Sequence, residues 1–208
     1  MDTDLENNRN HLLPTASKLI HPAGYLTNPP PTGRPVRIFV HGVFDLFHTG
    51  HLQFLEVAKN IFLETYVIVG VTTDSDTLRV KGPTVINATD RAAIVKGCKF
   101  VDEVIANCEP VLTMEFMDKY CIDYFAHADT MDSPGWQDPY RQIKEDGRFL
   151  VIPRIKDWGS TTEIISQIIK NQDDYLLRQL KNGATLADMQ VSWLKLQWIK
   201  IRRHLKRA

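Results

Sequence analysis

The stretch VRIFVHGVFDLFHTGHLQFLEVA, residues 36–58, predicts a strand, a turn and the start of a helix. VRIFV (36–40) is rich in β-branched and aromatic residues, which is typical of a buried strand. Leu52, Leu55 and Ala58 then follow at the spacing of one helix face. The turn between these elements carries two histidines three residues apart. The stretch therefore predicts the opening of a β-α-β unit.

The same alternation of strand and helix continues along the chain. Further strands are predicted at 66–71, 102–106, 122–127 and 149–152, and helices near 74–78, 113–120 and 139–146. This order is typical of an α/β fold, in which a Rossmann-like, doubly wound parallel sheet carries helices on both faces. Ligands of such folds bind beyond the carboxyl ends of the strands, and the two histidines leave the first strand at that edge.

The sequence divides into three regions. Residues 1–33 are polar and contain three consecutive prolines, so we expect a flexible segment that lies loose or drapes over the domain. Residues 34–182 are predicted to form the main domain, which ends in one helix over 163–180 that stops near Gly183. Residues 183–208 are predicted to form a C-terminal amphipathic, basic helix.

The C-terminal helix has two interpretations, which stay open at this point. Its apolar stripe is formed by Val191, Leu194, Trp198, Ile201 and Leu205. Such a stripe packs on its own domain or on a dimer mate, and this is the commoner case. With the basic residues between 200 and 207, it also resembles a segment that docks on anionic lipid, for which we expect only weak binding.

Composition excludes several function classes. Lys and Arg together number 25, as do Asp and Glu, so bulk charge gives no support to a nucleic-acid partner. The three cysteines are widely spaced and form no CxxC pair, which disfavours a disulfide framework and a zinc site. No apolar run approaches a membrane span, and the first residues are acidic. We expect a cytoplasmic protein, with the nucleus and the endomembrane surface as alternatives.

His48 and His51 are the strongest candidates for chemistry. Gly42 lets the backbone turn close to a ligand, and Thr49 and Gly50 open the helix, so both imidazoles lie near a helix N-terminus. That end of a helix attracts anions, and imidazole N–H groups add hydrogen bonds to phosphate oxygens. A metal pair lacks a third ligand at recognisable spacing, so phosphate binding is favoured over metal binding and over simple packing.

Several motifs in order resemble those of the cytidylyltransferase family. They are HTGH (48–51), GVTTD (70–74), KGPTVINATDR (81–91), CKFVDEV (98–104) and GSTTEIISQII (159–169). The resemblance runs from about Arg34 to the last helix. It implies a homodimer with contacts at CKFVDEV, and Mg²⁺ that arrives with CTP, without a metal site on the protein.

The resemblance also implies substrates and residue roles. CTP and phosphocholine would give CDP-choline and pyrophosphate, with His48, His51 and Lys81 as catalytic residues. The expected nucleotide-binding residues are Gly42, Val43, Phe44, His48, His51, His127, Asp129, Arg154, Ser160, Thr161 and Thr162. The expected phosphocholine-binding residues are Asp45, Lys81, Trp136 and Tyr140, in which the carboxylate and the aromatic rings would hold the quaternary ammonium.

Three alternatives to phosphocholine transfer stay open. MEFMDKYCIDY (114–124) resembles the ethanolamine-phosphate branch of the family, so phosphoethanolamine is the second candidate substrate. An adenylyltransferase shares both the HxGH motif and the fold. A lipid-sensing scaffold that kept the fold without turnover is the third alternative, although all five residues His48, His51, Lys81, Ser160 and Thr161 are present.

Overall fold

A computed structural model of the chain describes residues 22, 24–109, 111–128, 138–153 and 159–205. The chain divides into two compact units, Met1–Thr161 and Thr162–Ala208. The boundary expected at 182/183 therefore falls inside the second unit.

The first unit alternates strands and helices. Its strands are β1 (Val36–Gly42), β2 (Thr65–Thr72), β3 (Glu103–Cys108), β4 (Tyr124–Ala128) and β5 (Phe149–Ile152). Its helices, within the described residues, are α1 (Thr49–Lys59), α2 (Asp74–Val80), α3 (Ala88–Lys96), α4 (Met114–Lys119) and α5 (Arg141–Glu145). These bounds confirm the predicted ranges to within two residues. Helix α3 begins inside the motif KGPTVINATDR (81–91).

The five strands form one parallel sheet in the order β3-β2-β1-β4-β5. The predicted Rossmann-like fold is confirmed. The chain builds outward from β1 to β3 and then returns to the other side of β1 to place β4, so the order reverses between β1 and β4. Val40 of β1 pairs with Ala126 of β4, and the carboxyl ends of both strands follow directly. This switch point is where ligands of doubly wound folds bind.

Alternate residues of each strand enter two separate cores. Ile38 and Val40 of β1 lie on one face of the sheet, where Leu55 of α1 and Val95 of α3 cover them. Phe39, between them in sequence, lies on the opposite face, whose core includes Met117 of α4 and Ile143 of α5. Because successive side chains of a strand point to opposite faces, a continuous apolar strand requires helices on both sides.

Part of the predicted flexible segment is fastened to the first unit. Most of residues 1–33 lie outside the described residues. Asn28, however, donates its backbone N–H to the Gly147 carbonyl at 2.9 Å and its side-chain amide to the Asp146 carbonyl at 2.7 Å. Its own carbonyl accepts the Tyr124 hydroxyl at 2.6 Å. These three bonds fix Asn28 against β4 and the turn that precedes β5.

The second unit contains two helices where one was predicted over 163–180. Helix α6 (Thr161–Lys170) and helix α7 (Gln172–Lys181) are separated at Asn171. The prediction of one helix is wrong because the backbone leaves the helical conformation at Asn171, which has φ of −109° and ψ of 14°. Asn is a weak helix former, so a break at this position costs little helix propensity. Gly183, with φ of +98°, follows the end of α7, as predicted.

The last described helix, α8 (Trp193–Leu205), begins later than its apolar stripe implied. Val191 lies outside the helix, where its N–H bonds the Leu186 carbonyl at 2.9 Å, so its place in the stripe is corrected. The remaining members of the stripe are strongly exposed: Leu194 72%, Trp198 58%, Ile201 59% and Leu205 74%. None of the helices in the described residues is long and apolar enough to cross a bilayer.

Candidate active site

The turn between β1 and α1 is held in an unusual backbone conformation. Phe44 has φ of +56° and Leu46 has φ of +46°, both in the left-handed region. This region costs a non-glycine residue about 1 kcal/mol or more, so surrounding bonds must compensate. Asp45 supplies one of them, since its carboxylate accepts the Leu46 N–H at 3.0 Å. Arg91 supplies another through its guanidinium, which donates to the Val43 carbonyl.

His48 and His51 close the N-terminus of α1 with their own rings. His48 is the N-cap residue, and its Nδ1 accepts the Gly50 N–H at 3.0 Å. Nδ1 of His51 accepts the His48 N–H at 3.4 Å, which completes a capping box. Because Nδ1 is the acceptor in each ring, a neutral imidazole carries its proton on Nε2. The helix cap thereby sets both histidines as Nε2–H donors.

The two rings form a stacked pair, and His51 is kept neutral. Their centroids are 3.9 Å apart, and Phe44 and Phe47 pack against His51 at 5.2 and 5.6 Å. Burial lowers the pKa of His51 to about 4, with the charge of His48 acting in the same direction. At neutral pH His51 is thus a hydrogen-bond donor without a positive charge.

Lys81 lies just beyond the end of α2, the helix that follows β2. Its N–H caps α2 on the Thr77 carbonyl at 2.8 Å, and the side chain is exposed. Burial is the main reason that the pKa values of His41, His51 and His127 are lowered, and the positive charge of Lys81 contributes to each. The ammonium group therefore lies within electrostatic range of the carboxyl ends of both β1 and β4.

Ser160 and Thr161 approach the histidine helix from the end of the first unit. Gly159 has φ of +75°, and a Cβ at this position would lie 3.3 Å from Oγ1 of Thr49, so the backbone passes close to the start of α1. The Thr161 hydroxyl donates to the Asp45 carbonyl at 3.0 Å. The structure thus brings the GST segment to the HTGH segment. Thr162 belongs to the second unit, in the first turn of α6.

The other expected nucleotide residues of the first unit lie at the switch point. Gly42 ends β1, and Val43 and Phe44 follow it in the turn. His127 lies in β4, where its Nδ1 donates to the Ala128 carbonyl at 2.7 Å and leaves Nε2 as an acceptor if the ring is neutral. Burial lowers the pKa of His127, which favours the neutral ring.

Tyr140, expected in the amine pocket, adjoins His127. The two ring centroids are 5.2 Å apart, and Phe125 and Phe149 contact Tyr140 at 4.9 and 5.7 Å. Its pKa is raised by burial, so the ring stays a neutral phenol. Three expected site residues, Asp129, Arg154 and Trp136, lie outside the described residues.

Asp45, the expected partner of the amine, has a different set of contacts. Its carboxylate accepts three backbone N–H groups: Leu46 at 3.0 Å, Val85 at 2.8 Å and Ile86 at 2.9 Å. The residue is only 7% exposed. Both oxygens of the Asp45 carboxylate therefore accept backbone hydrogen bonds, and two of these bonds fix the loop that follows Lys81.

His41 is a site residue that sequence reasoning missed. It lies in β1 directly before Gly42, and its Nε2 is buried with no hydrogen-bond partner among the described residues. Burial, and then the charges of His127 and Lys81, lower its pKa to about 4. A buried polar atom without a partner at a switch point marks a position that a ligand can complete. The only sequence signal was a polar residue at the end of an apolar strand.

Comparison with known proteins identifies the family. A family model described as cytidylyltransferase-like matches residues 39–179, which include both histidines, Lys81 and the GST segment. The chain belongs to the cytidylyltransferase-like family. The family expected from the motifs is therefore confirmed.

The curated relatives are named for two different substrates, choline phosphate and ethanolamine phosphate. A probable choline-phosphate cytidylyltransferase of Schizosaccharomyces pombe is 41% identical over 91% of this chain and 52% of its own length. The choline-phosphate cytidylyltransferase of Saccharomyces cerevisiae is 41% identical over 93% of this chain and 46% of its own length. An ethanolamine-phosphate cytidylyltransferase of Dictyostelium discoideum is 35% identical over 69% of this chain and 39% of its own length. The chain spans about half the length of the curated choline relatives.

Proposed function

We propose that this chain transfers the cytidylyl group of CTP to phosphocholine, forming CDP-choline and pyrophosphate. The observation that carries the proposal is the His48–His51 pair, whose Nδ1 atoms cap α1 and whose Nε2–H groups are thereby set as donors at the switch point. A helix N-terminus with two such donors suits a polyphosphate. The 41% identity to choline-phosphate cytidylyltransferases over most of the chain supports the same reaction.

The reaction proceeds as a single displacement. An oxygen of the phosphocholine phosphate attacks the α-phosphorus of CTP, and a new P–O bond forms while the bond between the α-phosphorus and the bridging oxygen breaks. Pyrophosphate leaves with the electron pair of that bond. Negative charge builds on the α-phosphate and bridging oxygens, where neutral Nε2–H donors stabilise it most effectively because they are already oriented. No side chain becomes covalently linked.

Lys81 supplies the positive charge of the site. An exposed lysine next to a glycine reaches the phosphates of both substrates and neutralises them as a point charge. The Ser160 hydroxyl would bind the β- or γ-phosphate, and the Thr161 hydroxyl, which donates to the Asp45 carbonyl, holds this segment at the HTGH turn. Mg²⁺ would enter with CTP, because phosphate oxygens are among the ligands that it prefers.

Phosphocholine is favoured over phosphoethanolamine as the acceptor. The choline relatives are 41% identical, against 35% and 34% for two ethanolamine relatives. The aromatic group around Tyr140 also suits a trimethylammonium, which is attracted to ring faces and donates no hydrogen bond. The resemblance of 114–124 to the ethanolamine branch keeps phosphoethanolamine as the second candidate.

Two properties of the assembly complete the proposal. We infer a homodimer through CKFVDEV (98–104), because the resemblance of this segment to the family's motif implies it. We also infer weak contact of α8 with anionic membranes, because its exposed apolar residues lie beside Lys200 and Arg202.

Pyrophosphate release tests the proposed function. The full chain is assayed with Mg²⁺ and either CTP or ATP, each with phosphocholine, phosphoethanolamine or no acceptor. We expect release with CTP and phosphocholine, at a kcat/KM above that for phosphoethanolamine. Higher activity with ATP would make the chain an adenylyltransferase. No release in any combination would favour the scaffold.

A further inference from the structure

Three buried or half-buried side chains hold the loop that follows Lys81. These are Asp45, Asp74 and Arg91, which we call the loop clamp. Asp45 accepts the N–H groups of Val85 and Ile86 at 2.8 and 2.9 Å. It thus joins the strained turn after β1 to a segment 40 residues further along the chain.

Arg91 grips the same loop from the other side. Its guanidinium is fully buried and bonds the Ile86 carbonyl at 2.9 Å, the Thr72 carbonyl at 2.9 Å and, in addition, the Val43 carbonyl. One guanidinium therefore ties together the turn before HTGH, the end of β2 and the Lys81 loop. Five donors in a rigid fork make this possible for Arg and not for Lys.

Asp74 completes the clamp. Its carboxylate accepts an Arg91 N–H at 2.7 Å, the Thr84 hydroxyl at 3.1 Å and the Ala88 N–H at 2.9 Å. These contacts, with those of Asp45 and Arg91, fasten the loop at residues 84, 85, 86 and 88. Gly82, by contrast, has φ of +101° and open space where a Cβ would lie. Lys81 thus lies between the end of α2 and the loop clamp, and the neighbouring Gly82 allows the backbone to turn there.

Resting on the proposed function, we propose that the loop clamp positions Lys81 relative to the HTGH turn. Asp45 and Arg91 each contact both the turn that precedes His48 and the loop that follows Lys81, so they fix the distance between the histidine donors and the lysine charge. Asp45 is a positioning residue in this assignment and does not bind the amine. A displacement of about 1 Å between catalytic groups is enough to lower a rate many-fold.

A double-mutant cycle separates positioning from the alternatives. Asp45→Asn, Lys81→Ala and the double variant are assayed by pyrophosphate release, with Asp90→Asn as a matched exposed control. We expect Asp45→Asn to lower kcat about tenfold or more in the wild-type background and to have almost no effect in the Lys81→Ala background. An equal fold-loss in both backgrounds would overturn the proposal. If Asp45→Asn instead raised the KM for phosphocholine in both backgrounds and left kcat unchanged, Asp45 would be a residue that binds the amine, and the proposal would be overturned.

Hydrogen exchange gives a readout that does not need activity. The amides of Val85 and Ile86 should exchange at least tenfold faster in Asp45→Asn than in wild type, and Asp90→Asn should leave them unchanged. Unchanged protection in Asp45→Asn would overturn the clamp even if the chain proved inactive with CTP and phosphocholine, a result that would by itself reject only the proposed function.

Asp74→Asn is the second variant if Asp45→Asn does not fold. Because Asp74 has a half-exposed side chain, its loss is better tolerated. We expect faster exchange at Ala88 and a Lys81-dependent loss of kcat. A Lys81-independent loss would overturn the proposal.

Discussion

His48 has two separable roles, and a pair of substitutions distinguishes them. Its Nδ1 caps α1 through the Gly50 N–H at 3.0 Å, whereas its Nε2–H is assigned to the phosphates. In Asn, Oδ1 stands at the same number of bonds from the backbone as Nδ1, and Asn is among the best N-cap residues. His48→Asn thus keeps the cap and removes the donor, while His48→Ala removes both.

The magnitudes follow from these contacts. Loss of one oriented donor to a charge that develops in the transition state costs about 3 kcal/mol, so kcat should fall roughly 10²- to 10³-fold in both variants. Loss of an N-cap costs about 1 kcal/mol, so only His48→Ala should lose stability by that amount. Pyrophosphate release at saturating substrates measures the first effect, and urea unfolding measures the second.

Two outcomes would refute this reasoning. If folded His48→Asn kept more than about a tenth of the wild-type kcat, Nε2 would not act on the reacting phosphates. If His48→Ala were as stable as wild type, the cap would not depend on the imidazole.

Four further predictions follow from the same contacts. His51→Ala and Lys81→Ala should each lower kcat by about a hundredfold without loss of fold, and near-normal turnover in either would remove that residue from the mechanism. Arg91→Met should lower the free energy of unfolding by about 3 kcal/mol or more, because it leaves three carbonyl groups without their donor; a change below about 1 kcal/mol in urea would contradict this. The pKa of His41 is about 4 in the folded chain and about 6.5 when unfolded, so the stability from its burial is complete above pH 6.5 and is lost as the pH falls towards 4. His41→Asn should therefore flatten the decline of stability between pH 6.5 and 4, and an unchanged decline would show that His41 is not buried neutral.

The assembly gives one more prediction. Trp193 and Trp198 are 62% and 58% exposed, so their emission reports on burial in a membrane. Because the contact inferred for α8 is weak, this emission should shift only slightly to the blue with anionic vesicles, and turnover should not require lipid. A large shift with a many-fold rise in CTP turnover would make α8 a lipid switch. Sedimentation at micromolar concentration should show a dimer, and a monomer would reject the contact inferred at 98–104.

The fold was predictable because its signals are local. A strand such as VRIFV has apolar residues on both faces, and such a strand needs helices on both sides wherever it occurs. The single helix expected over 163–180 failed for an equally local reason, since the backbone at Asn171 is not helical (φ −109°, ψ 14°) and Asn is a weak helix former. Apolar periodicity alone does not detect a break at one polar residue.

The site was predictable only in part. The sequence places His48 and His51 at a helix N-terminus, because the spacing of the following apolar residues fixes where α1 starts. The role of the Asp45 carboxylate depends on Val85 and Ile86, which are 40 and 41 residues away along the chain. The unpartnered Nε2 of His41 likewise depends on what surrounds the ring in three dimensions. Neither follows from spacing.

The most direct test of the central claim is product identification by ³¹P NMR. The full chain is incubated with CTP, Mg²⁺ and phosphocholine, and His48→Asn serves as the control. We predict that CTP and phosphocholine are consumed in equal amounts, that one CDP-choline and one pyrophosphate form for each pair, and that His48→Asn forms neither at a comparable rate. Unchanged CTP and phosphocholine with the folded wild-type chain would contradict the account.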